Sequence, residues 1–193
     1  MSKTIYYSAL SVDGYIADAN HSLDWLFQFG DINDTSYPEF IKTVGALAMG
    51  STTYEWVIDH ISNPDGSLKE PWPYQQPTWV FSKRELKSVL GADIRFVKGP
   101  VEPFHAEMRK TSGLQNIWIV GGGQLAGHFF DAGLIDELIL QIAPVLLTTG
   151  APLLPRAITK PPMRLLNCRR YADFIEAHYE VPKSPQDSKS QHA

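Results

Sequence analysis

The stretch Asn116-Ile-Trp-Ile-Val-Gly-Gly-Gly-Gln-Leu-Ala126 decides how the chain is read. Ile117 to Val120 is apolar, β-branched and aromatic, bounded by polar Asn116 and by glycine, which suits a strand buried on both faces. Gln124 to Ala132 then has the length and spacing of a helix. Glycines at such a strand-to-helix turn permit positive φ and leave no side chain between the main chain and a ligand. The helix's first free N–H groups point outward, and that geometry attracts phosphate. Gly121-x-Gly123-x-x-Ala126 also fits the dinucleotide fingerprint in its glycine-or-alanine form, while the competing reading is a tight turn whose glycines serve packing alone.

The other residues bear on that choice. At 193 residues, 44% hydrophobic and 20% charged, the chain fits one soluble domain with a single core. A formal charge of −4 argues against general affinity for nucleic acid or an anionic membrane. Cys168 is the only cysteine, so no intrachain disulfide or zinc-type cluster can be built on it, and its alternating surroundings predict a packed thiol. The N-terminal residues lack the apolar core of a signal peptide and no segment approaches membrane-spanning length, so cytoplasm is the expected location.

Thr4 to Leu10 predicts a central strand, ending in the Asp13-Gly14 turn. A long polar loop follows, and loops of that length carry function more often than not. Ser36 to Thr43 predicts a short helix, Gly45 to Met49 a small-residue strand, and Ser51 the start of a second helix. Gly50 with Ser51, Thr52 and Thr53 thus makes a second strand–glycine–helix junction. Residues 61–77, rich in proline and glycine, predict a surface excursion. Thr78 to Phe81 and Asp93 to Val97 predict strands and Val101 to Thr111 a helix. Asp136 to Ala143 predicts another strand, residues 144–155 an irregular segment, and Arg164 to Tyr171 with Phe174 to Val181 a closing antiparallel pair. Residues 182–193 predict a disordered tail after a single domain spanning 1–181.

Strands alternating with helices imply a mostly parallel central sheet covered on both faces, an α/β fold with an antiparallel hairpin at one edge. Ligands on such sheets bind beyond the carboxyl ends of the strands. Those ends carry glycine, hydroxyl and basic residues: Gly50-Ser51, Ser82-Lys83-Arg84, Lys98 and Gly121. A Rossmann dehydrogenase would need an acid at the end of the strand after the fingerprint. Here that strand ends Gln141-Ile-Ala-Pro144, and four other strands precede the loop. The loop therefore reads as dinucleotide-binding in a different fold.

Six stretches in order carry a family resemblance: Ala9 to Ala17, Met49 to Glu55, Val80 to Arg84, Val97-Lys98, Val120 to Leu125 and Leu134 to Leu138. Over residues 3 to about 181 the chain resembles the dihydrofolate-reductase-like superfamily. It is most similar to the subgroup represented by the reductase domain of riboflavin biosynthesis, the C-terminal part of deaminase-reductases. The resemblance implies a three-layer fold and NADPH as hydride donor to a small, heterocyclic substrate, pterin- or pyrimidine-like. Gly121, Gly122, Gly123, Gln124 and Leu125 would lie against the pyrophosphate and nicotinamide side, with a cis Gly121–Gly122 peptide. Gly50, Ser51, Thr52 and Thr53 would hold the pyrophosphate from the other side. Ser82, Lys83, Arg84 and Lys98 would meet the adenosine 2′-phosphate. Backbone from Ala9 and Leu10, with Ile16 and Ala17, would flank the nicotinamide. Asp13 and Asp24 are the candidate catalytic proton donors, and Trp25, Tyr54 and Trp56 would frame the substrate.

Dihydrofolate reductases place a carboxylate on the wall that binds the pterin; Phe29 stands near that place here, which argues against folate. A catalytically inactive dinucleotide-binding protein of the same fold is the alternative. The resemblance further implies a homodimer, with the apolar 138–154 region and the closing hairpin as the expected pairing surface.

Overall fold

A computed structural model describes residues 2–183. Ten strands and four α-helices follow one another: β1 (Thr4–Ser11), β2 (Tyr15–Ala17), α1 (Tyr37–Ile41), β3 (Val44–Gly50), α2 (Ser51–His60), β4 (Thr78–Phe81), β5 (Ile94–Val97), α3 (Val101–Ser112), β6 (Asn116–Gly121), α4 (Gly123–Asp131), β7 (Glu137–Ala143), β8 (Ala151–Pro152), β9 (Arg164–Tyr171) and β10 (Phe174–Glu180). Eight strands form one sheet in the order β5-β4-β3-β6-β1-β7-β10-β9. From β5 to β7 every neighbour is parallel, and β10 runs antiparallel to both β7 and β9.

Period-2 alternation sorts each strand between two cores. In β1, Ile5 and Tyr7 face one layer while Tyr6 and Leu10 face the other; in β6, Trp118 opposes Ile117 and Ile119. One layer is closed by Phe40 of α1 and Tyr54 of α2, the other by Val101 and Met108 of α3 and Leu125 and Phe129 of α4. Each fully buried side chain of this size contributes roughly 1.5–3 kcal/mol. The α/β sheet with its antiparallel β7-β10-β9 end is the expected fold.

Three local expectations are corrected. Cys168 is exposed, because β9 is an edge strand lying beyond both helical layers. Residues 15–17 and 151–152, read as loop and irregular segment, pair as β2 and β8, bridges too short to leave a periodic signal. The 138–154 region is not an outer surface at its start, since Leu138 and Leu140 of β7 are buried in mid-sheet. Most of the expected tail lies outside the described residues; Lys183, at its beginning, donates to the carbonyls of Gly133 and Ile135. No helix among the described residues is long and apolar enough to cross a membrane.

A titrating group sits at the end of the sheet opposite the glycine junctions. His105 of α3 is bonded through Nε2 to Thr4 Oγ1 at 2.8 Å. Burial first, then the Arg109 guanidinium, lowers its pKa to about 4. A depressed folded value stabilises the fold above the unfolded value of 6.5, and that contribution is lost as pH falls toward about 4. Urea midpoints are therefore expected to fall across this window, and His105→Asn should flatten the slope there; an unchanged slope would refute the assignment.

Candidate functional site

The parallel strands end along one edge of the sheet, and a cavity of about 1100 Å³ opens there. Its lining follows the strand order: Lys98 after β5, Ser82 and Lys83 after β4, Gly50 to Thr53 at β3–α2, Val120 to Leu125 at β6–α4, Tyr7 to Ala9 on β1, Gln141 on β7 and Phe174 on β10. Seven adjacent strands at about 4.8 Å spacing make this a trough roughly 29 Å long. The loop between β2 and α1 supplies the opposite wall through Leu23, Leu26, Phe27 and Asp31.

The two glycine junctions meet at its centre because β3 and β6 are neighbours. A Cβ on Gly50 would lie 3.8 Å from Gly121 O and Gly122 N, and one on Gly121 would lie 3.7 Å from Thr53 Oγ1. The Gly121–Gly122 peptide is cis. Helices α2 and α4 both begin here with glycine N-caps, no side-chain cap and no acid in the first turn. Two sets of free N–H groups and two helix dipoles thus face the same space, an arrangement suited to a diphosphate. Gly123 has a different role: its Cβ would stand 2.1 Å from Pro152 O and 2.5 Å from Leu153 O. That glycine admits the β8 strap, which Leu153 N and Gly14 O (2.9 Å) tie to the turn before β2.

Of the expected cofactor residues, Ala9, Ile16, Ala17, Gly50, Ser51, Thr52, Thr53, Ser82, Lys83, Lys98, Gly121, Gly122, Gly123, Gln124 and Leu125 line the cavity. Lys83 and Lys98 are exposed and have no carboxylate partner among the described residues. Leu10 is absent from the lining: strand alternation turns its side chain into the α3–α4 core, which leaves only its backbone for the expected role. Arg84 is absent too. The Ser82 hydroxyl accepts from Arg84 N and donates to Arg84 O, and the resulting turn sends the guanidinium to Glu55 at 2.6 Å and to Ser51 Oγ at 3.1 Å.

Neither proposed proton donor reaches the cavity lining. Asp13 accepts from Ser11 Oγ at 2.6 Å and from the N–H groups of Leu147 and Thr148, fastening the 144–150 segment to its turn. Those bonds, the Ser11 hydroxyl's first, hold its pKa below the usual value, the wrong direction for an acid catalyst at neutral pH. Asp24 is exposed, although its neighbours Leu23 and Leu26 line the wall.

The aromatic trio divides by helix geometry. Thr52, Thr53 and Trp56 share the cleft face of α2, whereas Tyr54 and Val57 share the core face. Trp56 accordingly lines the cavity, stacked 6.3 Å from Phe27. Tyr54 is buried, donates to Lys87 O and does not line the cavity. Trp25 is half-buried outside the lining, with its indole N–H unpartnered.

Sequence reasoning missed the far end of the trough, built by Tyr7, Tyr37, Tyr74, Trp118, Gln141 and Phe174. Trp118 is its hub, edge-on to Tyr37 at 5.7 Å and to Tyr74 at 5.6 Å. One signal was available: Gln141 interrupts an otherwise apolar run, Leu138-Ile-Leu-Gln-Ile-Ala143. Phe29 packs edge-on against Phe174 at 5.4 Å.

Known proteins match this architecture closely. The family model described as RibD C-terminal domain matches residues 2–175. Protein YwjB of Bacillus subtilis (strain 168) is 32% identical over 177 residues, 92% of this chain and 97% of that protein. A Shewanella sp. PV-4 protein provisionally assigned to riboflavin biosynthesis superposes with a TM-score of 0.76 at 27% identity, covering 94% of this chain and 99% of that one. Dihydrofolate reductase from Enterococcus faecalis shares the fold at a TM-score of 0.57 and 17% identity, over 92% of this chain and 94% of that one. The chain belongs to the RibD C-terminal domain family and has the dihydrofolate-reductase-like, reductase-type fold.

Proposed function

We propose that the protein is an NADPH-dependent reductase that transfers a hydride to a small heterocyclic compound. The observation that carries this reading is the continuity of the trough: a lysine pair at one end, two uncapped helix N-termini at the centre, an aromatic box at the other. Lys83 and Lys98 suit a 2′-phosphate, the backbone at Gly50–Thr53 and Gly121–Leu125 suits a pyrophosphate, and Ala9, Ile16 and Ala17 suit a nicotinamide. NADPH would supply the hydride. The protein's part is to bind both molecules in one trough and hold their reacting faces together. The Enterococcus faecalis reductase was solved with NADP(H), and a Thermotoga maritima protein that shares the fold over 57% of its chain is named as a deaminase and 5-amino-6-(5-phosphoribosylamino)uracil reductase, which supports the same direction.

NADPH titration is expected to quench tryptophan fluorescence, since Trp56 and Trp118 line the trough. A folded protein whose emission NADPH leaves unchanged would sink the reading. The second reading, a dinucleotide-binding protein without catalysis, is favoured by the removal of Asp13 and Asp24 from the site. Binding without NADPH oxidation by any pterin, pyrimidine or quinone tested would select it. Pairing of two copies is part of the same proposal, supported by the exposed Leu165 and Ile175 on the terminal β9–β10 hairpin.

A further inference from the structure

The far end of the trough holds a buried polar knot that no part of the cofactor reading uses. Tyr7, Ser36, Gln141 and Glu176 come together there from β1, the residue before α1, β7 and β10. Register explains the meeting: Gln141 is the cross-strand partner of both Ala9 and Glu176, so the three share a face with Tyr7. Gln141 Nε2 donates to Glu176 Oε2 at 2.5 Å and to Tyr7 Oη at 3.0 Å, with Ser36 Oγ at 3.3 Å. Ser36 Oγ also donates to Glu176.

These acceptors fix which way the carboxamide points. Exchanging its two ends would bring Oε1 against the Glu176 carboxylate, acceptor to acceptor. Oε1 is therefore held on the side away from the knot, where it is buried and has no hydrogen-bond partner. Gln141 is only 4% exposed yet lines the cavity. A carboxamide oxygen left buried and unpaired is costly, and a ligand donor removes that cost. Around it stand the rings of Tyr7, Tyr37, Tyr74 and Trp118, which offer flat apolar surface. Burial raises the phenol pKa of Tyr7, Tyr37 and Tyr74, keeping those three rings uncharged at neutral pH.

Resting on the reductase reading, we propose that Gln141 determines substrate class: its Oε1 accepts a hydrogen bond from a ring N–H of a flat, non-anionic heterocycle seated in the aromatic box. Glu176 is the positioning residue that holds the carboxamide nitrogen in the knot and so leaves Oε1 as the unpaired end. Rings of the cyclic amide or imide type fit; the same rings methylated on nitrogen do not.

The test uses lumazine in its neutral form and 1,3-dimethyllumazine, titrated calorimetrically into the full-length protein and into Gln141→Met and Glu176→Gln variants shown to be folded by circular dichroism. The native protein is expected to bind lumazine at least about tenfold more tightly than the dimethyl compound. Gln141→Met should remove that preference by weakening lumazine alone, and Glu176→Gln should reduce it. Equal binding of the two compounds by the native protein overturns the proposal, as does binding of neither. A preference that survives Gln141→Met is steric and also overturns it, and a variant that weakens NADPH in place of lumazine assigns Oε1 to the nicotinamide. Failure of the reductase reading is read separately, from native protein that does not bind NADPH.

Discussion

Gly123→Ala is expected to unfold far more easily than the native chain, whereas Gly50→Ala is not. Both are glycines of the same cleft, but their surroundings differ. A Cβ at Gly123 would meet two backbone carbonyl oxygens, at 2.1 and 2.5 Å, and backbone cannot rotate aside as a side chain can. Either α4 or the β8 strap must move, and overpacking of this kind costs about 1–3 kcal/mol or more. The strap is fixed on its other side too: a Cβ on Gly150 would stand 2.0 Å from Ala17 O, and Tyr6 Oη donates to Leu153 O at 3.0 Å. Gly50 has φ −81° and its nearest Cβ neighbours would be at an ordinary 3.8 Å. Alanine there should leave the urea midpoint within the range of a neutral change, about 0.5 kcal/mol. Equal midpoints for the two variants would remove the strap from the account of the fold.

The Lys83→Glu, Lys98→Glu double variant should weaken NADPH by about one to two orders of magnitude while changing NADH by only a few fold. Charge-assisted bonds to a phosphate contribute about 1.5–3 kcal/mol each, reduced here because both lysines are exposed and screened. The difference between the cofactors is confined to the 2′-phosphate, so only a residue at that phosphate can separate them. Arg84→Glu is the internal control: its guanidinium already serves Glu55 and Ser51, and its loss should act on both cofactors alike through the α2 N-terminus. Parallel equilibrium titrations with NADPH and NADH decide the matter. Equal losses in the double variant would take the 2′-phosphate away from the ends of β4 and β5.

The legible parts of the site were those written in backbone. Glycine followed by a helix start is a local signal, so Gly50–Thr53 and Gly121–Leu125 could be read residue by residue. Side-chain direction was less accessible. Ser82, Lys83 and Arg84 are consecutive and basic or hydroxylic, yet a turn closed by the Ser82 hydroxyl separates Lys83, at the cavity, from Arg84, on Glu55. Tyr54 and Trp56 are two residues apart on a helix, so they face different ways, a consequence that helical spacing could have supplied. Asp13 shows the opposite limit, since its partners Leu147 and Thr148 lie more than 130 residues away.

By itself the sequence determined the alternation of strands and helices, the two glycine junctions, the parallel sheet and its closing hairpin, because hydrophobic period and turn chemistry are short-range properties. Tertiary structure alone decided that the junctions adjoin, that the β8 strap closes on Gly123, and that Tyr7, Ser36, Gln141 and Glu176 meet in one buried knot. Each of those facts depends on strand order and register, which are set when the whole sheet packs between its helical layers.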